Sequence, residues 1–200
     1  VTDVTDPSAL KNALARTAYA FGGLDILVLN AGLFPPPSPL AELDDKLWKR
    51  TFSINLDANQ LLLRLAYPLL RQAPNGGRVL IVGSKNVPAP GPGAAAYSAS
   101  KAALTQLARV AALEWAPDNI RINVLHPNSV FDTNLWSPEI LANRAAAYGL
   151  TVEQYKRRNL LKTEVTSRDV AEAAAELCGP RFAKTTGAQL PIDGGEERVI

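Results

Sequence analysis

The chain has 200 residues, 47% of them hydrophobic and 20% charged, and its 21 basic and 19 acidic residues give a formal net charge of +2. The basic residues are scattered, which argues against nucleic acid or an anionic membrane as a partner, and no apolar run is long enough to span a bilayer. A single cysteine, Cys178, and a single histidine, His126, exclude an internal disulfide and a usual structural zinc site, so we expect no metal.

The spacing of apolar residues predicts helices that alternate with strands. Asp6, followed by proline, is typical of a helix start, and Gly22 of a helix end. Thr166 or Ser167 is the expected cap of the last helix. We predict strands at residues 24–29, 78–83, 120–125 and 189–192. We predict helices at 7–21, 94–116 and 166–178, and a mostly helical segment at 43–70 with a break near Lys46. The stretch 128–162 is expected to be helical in pieces.

The predicted strands are continuous apolar runs, which is typical of strands buried on both faces of a parallel sheet. Strands that alternate with helices build βαβ units. We therefore predict an α/β fold, a Rossmann-like, doubly wound parallel sheet flanked by helices, in one domain over residues 1–200. The acidic N-terminus lacks a signal-peptide pattern, and we expect a cytoplasmic protein.

The sharpest chemical signal is the pair Tyr97 and Lys101, which lie four apart in a predicted helix and share one of its faces. A tyrosine with a pKa near ~10 is a poor acid or base at neutral pH. A cation one turn away favours the phenolate and lowers that pKa, so the pair can move a proton to or from an oxygen. The plain alternative is a surface lysine beside a packed tyrosine.

Three other features agree with a site at the carboxyl ends of the strands, where open α/β sheets bind ligands. Ser84 follows the second strand and can donate to an oxygen that gains charge, or it can simply cap a turn. The segment 30–32 (Asn-Ala-Gly) ends the first strand, where the backbone either passes a flat ligand or makes a tight turn. Asn55 interrupts an apolar helix, so we expect it to be at least partly buried rather than solvent-facing.

In order and spacing, the segment 30–32, Asn55, Ser84 and the pair Tyr97-x-x-x-Lys101 resemble the successive signatures of the short-chain dehydrogenase/reductase family. The resemblance covers essentially the whole chain and implies a nicotinamide-dependent oxidoreductase. It implies that Tyr97 is the general acid/base, and that Lys101 lowers its pKa and holds the nicotinamide ribose. It also implies that Ser84 orients the substrate oxygen, and that Asn55 anchors a water linked to Lys101.

The same resemblance implies NAD or NADP as the cofactor, with NAD favoured, and a small alcohol or aldehyde as the substrate. It gives the cofactor-binding residues as Asp3 and Val4 at the adenine, Asn30, Ala31 and Gly32 along the adenosine side, Pro127 and Val130 at the nicotinamide carboxamide, and Tyr97 and Lys101. Two positions depart from the family pattern around the nicotinamide carboxamide. Asn128 stands where glycine is usual, and Asp132 where threonine is usual.

The family's glycine-rich phosphate loop should precede Asp3, together with the first βαβ portion, and the 200 residues lack it. The match to G-x-G-x-x-A at residues 91–96 is not a substitute, because it runs directly into the catalytic helix; we expect a rigid turn there. We interpret the chain as a fragment whose first strand, ending at Asn30, is an exposed edge. We expect self-association, since family members pair through the helices predicted here at 43–70 and 94–116.

A narrower resemblance involves residues 84–93, 130–133, 148–155 and 182–189. These segments are similar to the C-terminal dehydrogenase domain of bifunctional rhamnulose-1-phosphate aldolase/alcohol dehydrogenases. That resemblance implies an N-terminal aldolase domain in the full-length protein, and lactaldehyde as the substrate. The rival interpretation of the chain is a non-catalytic or cofactor-incompetent module that serves assembly. His126 is expected to have a structural role, and Cys178 to be part of the core.

Overall fold

The computed structural model describes residues 1–196, and in it four parallel strands form one sheet in the order β1-β2-β3-β4. Consecutive strands are therefore neighbours, each joined to the next by a helical crossover. The prediction of a Rossmann-like parallel α/β sheet flanked by helices is confirmed. The strands are β1 (Ile26–Leu29), β2 (Arg78–Val82), β3 (Arg121–Pro127) and β4 (Gln189–Ile192).

Seven α-helices occur in the described chain, and short 3₁₀ turns follow some of the loops. The stretch between residues 128 and 162 contains two short helices, as predicted. The helices are α1 (Pro7–Phe21), α2 (Asp45–Phe52), α3 (Ala58–Leu70), α4 (Ala95–Trp115), α5 (Pro138–Ala147), α6 (Val152–Lys156) and α7 (Ser167–Cys178). None of the described helices is both long and apolar enough to cross a membrane.

The core lies on both faces of the sheet because successive strand residues point in opposite directions. Val79 and Ile81 of β2 belong to the larger cluster, which also contains residues of α1, α3 and α4. Leu80, between them, packs on the other face with Leu125 and with the end of α7. Cys178 is buried in that second cluster, which confirms its expected place in the core.

The predicted helix caps are confirmed. Asp6 accepts a hydrogen bond from the Ser8 backbone N–H at 2.8 Å, and Gly22 ends α1 with φ of 80°, a value that glycine adopts without strain. Of the two residues proposed for α7, Thr166 is the cap, because its side chain accepts from the Asp169 N–H while Asp169 bonds back.

The helical segment predicted at 43–70 needs correction. It begins at α2, capped by Asp44, so no break occurs near Lys46. The irregularity lies later, in a π-helical turn at Ser53–Asp57, where the Ala58 N–H bonds to the Ser53 carbonyl five residues back. Apolar spacing does not reveal one extra residue in a turn, which is why the sequence did not predict it.

Strand β3 extends two residues beyond its prediction. Pro127, the last residue of the strand, has no N–H to donate. Its carbonyl still accepts from the Lys85 N–H at 3.1 Å, so the ladder between β2 and β3 continues to this point. The extension carries the chain to the carboxyl edge of the sheet, where the predicted site lies.

Strand β1 is one of the two edges of the sheet in the described chain, as predicted. Within residues 1–196 it pairs with β2 alone, and Ile26 and Val28 are 42% and 49% exposed. An exposed apolar edge strand is a template for pairing with another strand. The self-association expected from the sequence stays a prediction.

We expect Leu104→Ala to lower the free energy of unfolding by about 2–5 kcal/mol, because it leaves a cavity where α4 packs on the sheet. Leu104 is 1% exposed and belongs to the larger core cluster. Leu113, on the same helix, is 79% exposed, and Leu113→Ala is the matched control with an expected change near zero. Urea unfolding measures both, and equal effects would contradict this account of the core.

Candidate active site

Four residues predicted from the sequence meet where strand β2 ends and helix α4 begins. Ser84 follows β2, and Tyr97 and Lys101 occupy the first two turns of α4. Asn55 reaches the same region from the π-helical turn, and it is fully buried. The structure therefore brings together the side chains expected to carry the chemistry, at the carboxyl ends of the strands.

Lys101 is buried, and its ammonium Nζ donates a hydrogen bond to the Val82 carbonyl at 2.7 Å. Burial lowers the pKa of Lys101 to about 8 because the charged form loses its hydration. The Nζ atom lies 6.0 Å from the centroid of the Tyr97 ring. Lys101 thus points into the site, and the alternative of a surface lysine is wrong.

The pKa of Tyr97 is shifted in the direction opposite to the one expected from the sequence. Burial raises the pKa of Tyr97 above its usual value, and a hydrogen bond with Ser84 partly offsets this. The expected lowering by Lys101 is not present in this structure, since the ammonium faces the Val82 carbonyl rather than the phenol oxygen. Phe34 packs edge-on against the Tyr97 ring at 4.6 Å between centroids, which helps to keep water from it.

Asn55 holds together three segments of the site. Its Oδ1 accepts from the Leu33 N–H at 2.7 Å, and its Nδ2 donates to the Leu33 carbonyl at 2.9 Å. The same Nδ2 donates to Ser100 Oγ at 3.0 Å. The widened turn leaves the Asn55 carbonyl available to Asn59, whose Nδ2 donates to it at 2.9 Å. The expected burial of Asn55 is confirmed, and its link through water to Lys101 stays a prediction.

The loop after β1 passes very close to this cluster. A Cβ atom on Gly32 would lie 3.4 Å from both Asn55 Oδ1 and Lys101 Nζ. Asn30 and Ala31 are exposed just before it, at the end of the strand. Gly32, expected beside the adenosine half of a cofactor, therefore stands next to the lysine expected to bind the nicotinamide ribose.

Asn128 and Asp132, the two residues after β3 that depart from the family pattern, are both held in place by hydrogen bonds. The Asn128 N–H donates to the Ile192 carbonyl at 3.1 Å, and its side chain donates to Glu196. Asp132 accepts from the Ser167 N–H at 2.8 Å and from its hydroxyl at 2.6 Å, which fixes this loop to the start of α7. Pro127 and Val130 lie at its beginning, partly buried.

Asp3 lies in a tight turn before α1. Its carboxylate accepts from the Thr5 N–H at 2.8 Å and the Thr5 hydroxyl at 2.7 Å, and these bonds lower its pKa. Val4 is partly buried beside it. The contact of both residues with adenine stays a prediction.

The turn at residues 91–96 is a structural element, as expected. Gly93 has φ of 78°, and its carbonyl accepts from the Ser38 N–H at 3.0 Å. Ser38 and Ala94 form an isolated bridge immediately before α4. The proline-rich loop at residues 34–39, which contains Ser38, thus closes over the start of the helix that carries Tyr97.

A polar cluster near Ser84 was not anticipated from the sequence. Arg158 forms an ion pair with Glu196, and its guanidinium lies over the rings of Tyr148 and Tyr155 at 4.6 and 4.5 Å. Lys85 Nζ lies 3.7 Å from the same carboxylate. The residues come from four separate segments, so no spacing in the sequence could reveal the cluster.

Comparisons with known proteins identify the family of the chain. Residues 1–197 match the family model described as enoyl-(acyl carrier protein) reductase. The chain is 30% identical to the short chain dehydrogenase/reductase astE of Aspergillus oryzae, over 98% of this chain and 73% of that protein. The chain belongs to the short-chain dehydrogenase/reductase family. A dehydrogenase/reductase from Sinorhizobium meliloti 1021 has a similar structure, with a TM-score of 0.83 and 32% identity over 98% of this chain and 72% of the other.

The chain spans very different shares of two further relatives of this short-chain dehydrogenase/reductase. An uncharacterized oxidoreductase of Bacillus subtilis, YuxG, is 36% identical over 96% of this chain, which spans only 29% of that protein. An uncharacterized NAD-dependent oxidoreductase of Mycobacterium tuberculosis is 32% identical over 96% of this chain and 70% of that protein.

The pKa of Lys101 predicts how stability depends on pH. The folded chain holds fewer protons at Lys101 than the unfolded chain between pH 8 and 10.5, so the free energy of unfolding should rise with pH across that window. The full contribution is on the order of 3 kcal/mol. The raised pKa of Tyr97 acts in the opposite direction near pH 10, because the unfolded chain loses its phenol proton first, and this effect is common to the wild type and to any variant that keeps Tyr97.

The matched control is Lys101→Met, because the methionine side chain is similar in length to that of lysine but cannot titrate. Urea unfolding from pH 7 to 10 should show the difference in stability between wild type and variant shifting in favour of the wild type as pH rises. A constant difference across this range would mean that Lys101 keeps an ordinary pKa.

Proposed function

We propose that this chain is the catalytic part of an NAD(P)-dependent oxidoreductase that interconverts a small alcohol and its carbonyl product. The observation that supports the proposal is the cluster at the end of β2. There a half-buried Tyr97 shares a hydrogen bond with Ser84, and the ammonium of Lys101 faces inward beside them. Tyr97 is the proposed general acid/base.

The proton chemistry follows from these contacts. Tyr97 carries its proton at neutral pH, and because burial raises its pKa it is a weak acid that donates to a carbonyl oxygen only as that oxygen gains negative charge during reduction. Ser84 Oγ accepts from the Asn86 N–H at 3.1 Å. The hydroxyl's own hydrogen can then stabilise an oxygen that gains negative charge. In the oxidation direction, Lys101, with a pKa of about 8, can hold or release a proton near physiological pH.

The residues present fit the nicotinamide end of the proposed cofactor. Glycine at position 32 leaves room beside Lys101 Nζ and Asn55 Oδ1, where a side chain would make contact. Lys101 would hold the ribose beside Tyr97, Asn30 and Ala31 would lie along the adenosine side, and Pro127 and Val130 would meet the carboxamide, with Asp3 and Val4 at the adenine end. When bound, the nicotinamide supplies or accepts the hydride. NAD is the favoured form, supported by the family resemblance and by the relative described as NAD-dependent.

Lactaldehyde is the specific substrate that we propose. The support is the resemblance of four segments to the dehydrogenase domain of the bifunctional rhamnulose-1-phosphate aldolase/alcohol dehydrogenases, which also suggests an aldolase domain in the full-length protein. Because the chain spans 29% of its relative YuxG, the activity of a longer protein is itself part of this proposal. We also propose that the protein acts in the cytoplasm, without nucleic acid or membrane partners.

The main test is a titration with NADH and NADPH, followed by cofactor fluorescence, and then turnover with small aldehydes and alcohols, lactaldehyde included. The full-length protein and the 200-residue chain should be compared. Saturable binding with turnover supports the oxidoreductase. Binding and turnover absent from both forms would favour the rival interpretation, a dehydrogenase fold retained for assembly.

We expect Tyr97→Phe to reduce kcat by ~10²–10⁴-fold, because the variant loses the hydroxyl that transfers the proton. The dissociation constant for NADH should not change, since the ring and its contact with Phe34 remain. Tyr19→Phe is the matched control, because Tyr19 is exposed on α1. A Tyr97→Phe enzyme that turns over at the wild-type rate would remove Tyr97 from the mechanism.

We also expect the chain to form a homo-oligomer, visible in sedimentation velocity. Two exposed apolar surfaces could carry the contact: the β1 edge with Val28, and the outer face of α4 with Val110. Val28→Lys should weaken association through the edge, and Val110→Lys association through the helices. A monomer at every concentration would refute self-association.

A further inference from the structure

Ser84 lies between two residues that continue the hydrogen-bond ladder joining the ends of β2 and β3, so its own N–H and carbonyl point away from that ladder. The Gly83 N–H donates to the Leu125 carbonyl at 2.7 Å, and the Lys85 N–H donates to the Pro127 carbonyl at 3.1 Å. The Ser84 N–H meets a side chain, and the Ser84 carbonyl lies near the same side chain while it also accepts from the Val87 N–H at 3.0 Å. Because buried backbone groups need partners, that side chain and the turn to Val87 together hold the Ser84 backbone.

The side chain is the imidazole of His126, which belongs to β3 and is buried. Its Nδ1 lies 3.2 Å from the Ser84 nitrogen and 2.9 Å from the Ser84 carbonyl oxygen. In one neutral tautomer Nδ1 accepts from the N–H, and in the other Nδ1–H donates to the carbonyl. Either tautomer bonds His126 to the backbone of Ser84.

The ring itself is held from its far side and from below. Its Nε2 lies 2.7 Å from Gln189 Oε1, on the neighbouring strand β4. Gly83 lies against the ring, since a Cβ atom there would approach His126 Nδ1 to 2.7 Å. A chain of contacts therefore runs from Gln189 through His126 to Ser84, and from the Ser84 hydroxyl to Tyr97.

We propose that His126 is a positioning residue for Ser84, and that Gln189 orients its ring. This inference rests on the proposed function, because Ser84 matters for catalysis only if Ser84 and Tyr97 act on a substrate oxygen. His126 touches neither the phenol nor the substrate; it fixes the backbone from which the Ser84 hydroxyl projects. A hydroxyl that drifts from the reacting oxygen stabilises developing charge less well, so the effect falls on turnover.

The sharpest test compares two substitutions of His126 in the full-length protein. His126→Leu fills the space but cannot bond to Ser84, and kcat should fall by roughly 10–100-fold, as expected for the loss of one aligned hydrogen bond. His126→Asn keeps a polar group near the position of Nδ1 and should restore most of that loss. Gln189→Leu should give a smaller loss than His126→Leu, because the ring keeps its bond to Ser84. The dissociation constant for NADH should stay at the wild-type value in all three variants.

A control on the same strand separates positioning from general destabilisation. Asn123 of β3 is also buried, and it bonds to the loop before β4, through Thr185 and Ala188. Asn123→Leu should lower the melting temperature and leave kcat almost unchanged in the folded fraction. If both Leu variants lost kcat equally, or if His126→Asn were as slow as His126→Leu, the proposed role would be wrong.

NMR tests the contact without any activity. Long-range ¹H–¹⁵N spectra of the labelled wild type report which nitrogen of His126 carries the hydrogen. A scalar coupling across the hydrogen bond should then connect Nδ1 to the Ser84 amide nitrogen or to its carbonyl carbon. Absence of both couplings overturns the inference, whereas a wild type that shows the coupling but neither binds NADH nor turns over would refute the proposed function alone.

Discussion

The site depends on the burial of one ammonium group. Lys101 lies in the first turns of α4, where its Nζ bonds to the carbonyl of Val82 at the end of β2. A charge removed from water is costly unless it is hydrogen-bonded, so this bond joins helix and strand in a fixed geometry. Tyr97, one turn earlier, is then held over Ser84. The same burial gives Lys101 a pKa of about 8, close to the range in which proton transfer is useful.

The space around that ammonium is kept by three residues from neighbouring segments. Asn55 clamps the Leu33 backbone through both of its amide atoms, and this brings the loop after β1 to the lysine. Gly32 lets the loop approach without a side chain. Phe34 covers the Tyr97 ring from outside. Together these contacts make a dry, preorganised corner at the edge of the sheet, the environment in which hydrogen bonds to a reacting oxygen are strongest.

Much of this arrangement could be predicted from the sequence. Apolar runs located all four strands, and the spacing of Tyr97 and Lys101 placed them on one face of a helix. The pKa of Tyr97 could not be predicted, because it depends on burial and on where the Lys101 ammonium points. The contact between His126 and Ser84 was also missed, since the residues lie 42 positions apart and meet only through strand register. The same holds for the ion pair of Arg158 with Glu196, which joins segments 38 residues apart.

The π-helical turn at Ser53–Asp57 has a consequence for the whole N-terminal half of the site. An α-helix turns by about 100° per residue, so one extra residue in a turn rotates everything beyond it by that angle. The helices α2 and α3 are therefore out of phase, and α2 can face α4 while α3 faces α1 and the sheet. Removal of a single residue from this turn would bring the packing faces of α2 and α3 onto the same side of the helix and would turn Asn55 out of the interior. The π-helical turn thus lets one continuous helical segment pack against two different parts of the protein.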